Sequence, residues 1–229
     1  MTAPDRRLWR VLGWLVIAHL VLMFASFSLQ RVSPLGAKPA TVIADHVTWS
    51  MTKGFTGGYL TSLSFLVFLL AATLLARLLR GDTEIAGWLS STIAASGSIY
   101  VAVTFSSLSN LGAALYDGHN GAPLSTVTAL DHVHWFGAFL ATEVLGVFIL
   151  AVAAAVRATG LLPRWVAYSG FLVGAVCIAA VAGAGLGLID AATVVWVFWL
   201  AGLAIAAFRV SRVSRVSRVS MSPTSRATA

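Results

Sequence analysis

The sequence predicts an all-α membrane protein, a bundle of six transmembrane helices with both ends on the cytoplasmic side. Three observations carry that prediction. Apolar runs of the roughly 20 residues a helix needs to cross a hydrocarbon core recur six times. Hydrophobic residues make up 59% of the 229-residue chain and charged residues 10%, against about 25% charged in a soluble domain, so lipid must solvate most of the apolar surface. The Lys and Arg fall almost entirely on alternate connections between the runs.

The first span runs from about Leu8 to Leu29, behind Arg6, Arg7 and Arg10. Its apolar stretch exceeds the roughly 7–15 residues of a signal-peptide core, so it reads as a retained helix. The second runs from about Gly58 to Leu79 and stops at Arg80-Gly81-Asp82, where Asp82 is placed to cap the next helix. The third covers about Ile85 to Leu115. The fourth follows Asn120-Gly121 and Pro123, from Leu124 to Val156. Gly160 closes it and Pro163 opens the fifth, which runs to Leu188, in keeping with the positions Gly and Pro prefer at helix ends. Asp190 caps the sixth, which ends near Phe208. Residues 1–208 thus form one membrane domain and 209–229 a basic, disordered tail.

With the N-terminus inside, twelve of the fifteen cations lie on the inner side, and Arg31, Lys38 and Lys53 lie outside. Trp9, Trp88 and Trp165 then sit near inner ends and Trp49 and Trp135 near outer ends, as interfacial tryptophans do. The same mapping accounts for the net charge of +7 and excludes a nucleic-acid partner, because the cations flank apolar spans. The tail repeats Arg-Val-Ser four times between Arg209 and Ser220. It anchors the topology, and its arginines, Arg209 to Arg218, can attract anionic lipid at about 1 kcal/mol each. Cys177 stands alone, so no intrachain disulfide forms.

Polar groups mark where function could lie. Asp45, His46, His119 and Asp190 collect on the outer side, with the cluster Asp131-His132-Val133-His134 one to three turns inside the fourth span. Asp131 and His134 project about 60° apart, but His132 about 160° from His134, so one helix cannot aim both histidines at one ion. A metal would need ligands from other connections, and nothing in the sequence requires a cofactor. Glu143 lies mid-span among apolar residues, where an acid usually faces the bundle interior and marks a functional path. It projects within about 20° of His132. His19 lies at similar depth in the first span and could pair with it. The third span is rich in Ser and Thr and could line a water path, or could return its hydroxyls to its own backbone. Gly170 and Gly174, like Gly183 and Gly187, are four apart, a spacing that lets helices approach closely, within the bundle or against another subunit.

Two resemblances bear on these residues. Ala95-Ser96-Gly97 and Ser98-Ile99-Tyr100, with His132 or His134 before Trp135-Phe136-Gly137, resemble in part the rhomboid intramembrane proteases, which imply a Ser–His pair within the membrane. The chain departs from that pattern: Ala94 stands where the family has Gly, spans three and four are consecutive, and no earlier His-x-x-x-Asn occurs. The six-span plan, the long first outer loop and the turn Thr159-Gly160-Leu161-Leu162-Pro163-Arg164-Trp165, continuing to Gly170, resemble a widespread bacterial family of uncharacterised integral membrane proteins. That resemblance implies the fold and a bacterial cell membrane, and carries no site. The leading expectation is a protein that binds or passes a small solute, ion or proton through a polar interior around Glu143 and His19. A partner-binding subunit and a metal- or haem-dependent membrane enzyme are the alternatives.

Overall fold

A computed structural model describes the backbone of residues 3–30, 50–183 and 188–219 and, within them, the side chains of residues 6–30, 50–183 and 188–212. It is helical: α1 (Ala3–Leu29), α2 (Met51–Leu78), α3 (Glu84–His119), α4 (Leu124–Thr159), α5 (Arg164–Ala182) and α6 (Leu188–Val219). All six are long and apolar enough to cross a membrane. Each helix packs antiparallel on the next, and α6 returns against α1, so the six close into a ring. The α1–α6 closure is tight, with Gly13 against the Phe208 ring and Trp14 edge-on to it at 5.5 Å. The start of α1 and the end of α6 share one end of the bundle, here the proximal end; the end of α1, the start of α2 and the α3–α4 connection lie at the distal end.

Several boundaries differ from the sequence reading, each for a local reason. Helix α2 begins at Met51, well before Gly58. Gly54, Gly57 and Gly58 are all helical, and Gly57 lets the end of α1 approach: a Cβ there would meet the Gln30 side chain at 2.7 Å. Thr83, not Asp82, caps α3, its hydroxyl accepting from the Ala86 amide at 3.2 Å. Gly160 ends α4 in the left-handed conformation, φ 64°, as its position predicts. Helix α5 ends at Ala182 rather than Leu188. Asp190 lies in the first turn of α6, where an acid suits the helix dipole, instead of before it.

The largest departure is at the tail. Helix α6 runs to Val219, through all but the last residue of the Arg-Val-Ser repeat, where the sequence suggests disorder from Arg209 or a helix formed only against lipid. Arg is a good helix former, and Ser211 is buried with its hydroxyl returned to the Phe208 carbonyl at 2.7 Å.

The glycine spacing in α5 serves the interior of this chain. Gly174 faces Gly146 of α4 so closely that a Cβ on either would come within 2.9 Å of the other's carbonyl oxygen. Gly170 sits against Ala153 and the Trp199 indole. The expected use of Gly170 and Gly174 against another subunit is therefore corrected: both are buried between helices of one chain. Gly183 rests on Leu188, and Gly187 lies outside the described residues.

Candidate functional site

Two buried histidines fasten the helices in pairs. His19 of α1 is fully buried and faces Ser64 of α2. Its Nδ1 lies 2.9 Å from the Ser64 carbonyl oxygen and 2.8 Å from Ser64 Oγ, and Ser64 Oγ donates to the His19 carbonyl at 2.9 Å. One assignment satisfies all three contacts. Nδ1–H donates to the serine carbonyl and is shared with Ser64 Oγ, and the serine hydroxyl donates to the histidine carbonyl.

The same figure recurs between α3 and α4. His134 Nδ1 lies 3.1 Å from the Ser107 carbonyl oxygen and 2.9 Å from Ser107 Oγ, and that hydroxyl donates to the His134 carbonyl at 2.7 Å. Gly137 makes room for it, since a Cβ there would meet Ser107 at 2.7 Å. In neither pair does a free base nitrogen face the hydroxyl, because its proton is committed to a carbonyl. These are reciprocal clasps between antiparallel helices rather than nucleophilic dyads.

A second set of bonds supports the first clasp toward the distal end. Ser26 Oγ donates to the Gly57 carbonyl at 2.9 Å and contacts the Thr61 hydroxyl, to which the Gln30 amide also donates at 3.1 Å. Below, an aromatic layer fills the axis of the bundle. His19 packs on Phe65, Phe68 and Trp196 at 5.8, 5.2 and 5.9 Å between ring centroids, and Phe68 in turn meets Tyr100 and Phe148. His19 Nε2 makes no hydrogen bond. The cavity of about 10 Å³ beside it is at the lower edge of what one water requires, and its walls offer no second polar partner.

Between the two clasped pairs, the distal halves of α2 and α3 diverge and leave a cleft of about 530 Å³, within the usual range for a small-molecule site. Phe55, Gly58, Tyr59 and Ser62 form one wall, Phe105, Leu108, Ser109 and Gly112 the other, and Gln30 of α1 contributes a carboxamide. Among the described residues no charged side chain lines it. Phe105 packs on Phe65 at 6.5 Å, so the wall of the cleft leads into the aromatic layer. Ser62 and Ser109 donate to their own helices, to Gly58 O at 3.1 Å and Ser106 O at 2.7 Å, which leaves their oxygens able to accept.

The residues singled out from sequence separate into three groups. Asp131 and His134 are buried in the bundle, as expected. His132, His119 and Asp190 are exposed, which corrects the interior place expected for His132. Asp45 and His46 lie outside the described residues.

Glu143 requires the main correction. It is exposed on the outward face of α4, on the stripe with Phe136, Leu140 and Val147, and makes no hydrogen bond or ion pair with the described residues. The reason is helical phase. Phe148, Leu145 and Ala141 face the core, and Glu143 projects roughly opposite to them at 100° per residue. His132 follows it outward because the two share a face. His19 and Glu143 stand on α1 and α4, which are not neighbours in the ring, so the expected pair does not form.

Other sequence readings resolve in the same geometry. Ser91, Thr92, Ser96, Ser98 and Thr104 of α3 all donate to carbonyls of their own helix, so the polarity of that span is largely absorbed locally. Ser96 is remote from His132. Its neighbour Gly97 faces Phe148, and His132 lies about 24 Å from Phe148 along α4 at 1.5 Å per residue. Among the described residues no three His, Cys, Asp or Glu groups come together to hold a metal. Sequence reasoning missed Ser64, and it counted Ser107 among the hydroxyls of the polar third span without tying it to His134. Counting residues from the shared distal ends of each helix pair would have set each serine near the depth of its histidine. No family model, curated protein or solved structure matches the chain.

Proposed function

We propose that this chain is a membrane binding protein for a small neutral amphiphile, held in the cleft between the distal halves of α2 and α3. The observation that carries the reading is the cleft of about 530 Å³ with apolar walls, hydroxyl and carboxamide groups, and no charged lining side chain among the described residues. Aromatic and aliphatic walls favour a hydrocarbon body. Gln30, Tyr59, Ser62 and Ser109 offer hydrogen bonds to a polar end. The filled aromatic layer below favours binding over passage. With both termini cytoplasmic, as the arginine distribution favours, the cleft opens within the outer leaflet.

Gly58 and Gly112 provide the test. A Cβ at either would meet no atom of the described residues within 4 Å, so leucine there fills the cleft without disturbing the helices that line it. With a Leu108→Trp reporter measured against its parent, a dibromostearoyl monoglyceride should quench the added tryptophan. Gly58→Leu and Gly112→Leu should abolish that quenching while the protein stays folded. Quenching that survives both substitutions would reject the cleft as the binding site.

A further inference from the structure

Glu143 is the observation that the cleft does not absorb. It sits on α4 (Leu124–Thr159) with about 28 Å of helix on the distal side and about 24 Å on the proximal side, at 1.5 Å per residue. A glutamate side chain cannot reach the lipid headgroups from there. Its surface neighbours Val133, Phe136, Leu140 and Val147 are exposed and apolar. A carboxyl facing hydrocarbon alone loses its hydration and gains no hydrogen bond in return. The described residues supply no partner.

We propose that the outward face of α4 is a symmetric dimer interface, in which Glu143 of one copy hydrogen-bonds Glu143 of a second copy. Three features select a second copy over a different protein. First, copies inserted in one membrane share orientation, so a two-fold axis along the membrane normal sets α4 parallel to its partner and brings residues of equal depth together. Second, a carboxylic acid both donates and accepts, so two identical groups satisfy each other without a cation. The described Lys and Arg sit toward helix ends, among them Arg77, Arg80, Arg157 and Arg164, and offer no ion pair at that depth. Third, Val133, Phe136, Leu140, Glu143 and Val147 follow one another at intervals of three, four, three and four. That is the spacing of a parallel helix seam, in which a single polar residue fixes register. Ser98, the exposed hydroxyl at similar depth on α3, already donates to the Ala94 carbonyl.

The test is disulfide trapping of the full chain in its membrane, in a Cys177→Ala background. Val147→Cys should yield a crosslinked dimer whose mass is twice that of the chain. Leu70→Cys, exposed on α2, should not. Adding Glu143→Leu should weaken association up to about tenfold, within the range of one interhelical polar pair in lipid, and so lower the crosslinked fraction. Glu143→Gln, whose amide also donates and accepts, should retain it. Failure of Val147→Cys to crosslink would overturn the proposal. So would a crosslink to a different protein, or one indifferent to Glu143→Leu.

Discussion

The α2–α3 seam is closed at its proximal half and open at its distal half, and glycine lines both. At the proximal half, Gly97 lies against Ala72, so close that a Cβ would come within 2.9 Å of the alanine's, and Ser90 donates to the Ala76 carbonyl at 2.8 Å. At the distal half, Gly58 and Gly112 face each other's wall with no atom of the described residues between them. Residue size at the seam does not explain the difference. What differs is where each helix is fastened. A short connection, Leu79–Thr83, ties α2 to α3 at the proximal end. Toward the distal end the histidine clasps hold α2 to α1 and α3 to α4, and no comparable polar contact joins α2 to α3 among the described residues. The cleft is thus the gap between two separately clasped hairpins.

Breaking a clasp should have the largest effect. His19→Ala removes a fully buried ring from the aromatic layer together with its bond to the Ser64 carbonyl. A loss of about 3 kcal/mol is expected from the cavity and the lost hydrogen bond combined. Denaturation of the purified protein in mixed micelles measures it. Ser64→Ala should cost less, about 1 kcal/mol, because the helix backbone there stays paired. Each substitution removes one of the two crossing bonds and leaves the carbonyl that accepts the other, so unchanged stability in both variants would mean that the clasp does not hold α1 to α2.

The closed half of the seam gives the next effect in size. Gly97→Ala forces its new methyl onto Ala72 Cβ, which is fixed to the α2 backbone and cannot swing away. The two helices must part there. The overpacking cost exceeds the helix-propensity gain of alanine, for a net loss of about 1–2 kcal/mol by the same unfolding measurement. Stability equal to or above the parent would show the proximal half to be looser than its geometry indicates.

The helices were readable from sequence because lipid imposes one simple demand, long apolar runs with paired backbones, and the runs from Leu8, Ile85 and Leu124 meet it. The site was less readable. Periodicity correctly set Glu143 and His132 on one face of α4, and Asp131 near His134 on another. It could not say which face points inward, because in a bilayer both faces are apolar and the usual amphipathic cue is missing. The mid-membrane position of Glu143 suggested an interior place, whereas phase relative to Leu145 and Phe148 sends it outward. The cleft was invisible for a different reason. It is made by the divergence of two helices, and Gly58 and Gly112 look in sequence like any other small residues of a span.

The smallest effect is also the sharpest contrast, since it repeats the Gly97 substitution at the open half. Gly112→Ala places its methyl where no atom of the described residues lies within 4 Å, on a helical backbone with no positive φ. Nothing opposes the entropic advantage of alanine over glycine in a helix, so stability should rise by about 0.5–1 kcal/mol. The sign must therefore differ between Gly97→Ala and Gly112→Ala, although the two residues stand on one helix and in one seam. Alanine removes little of the cleft's volume, so amphiphile quenching should persist where Gly112→Leu abolishes it. A destabilising Gly112→Ala would mean that α2 and α3 already touch at the distal half. The cleft would then be closed in the protein as it stands in a membrane.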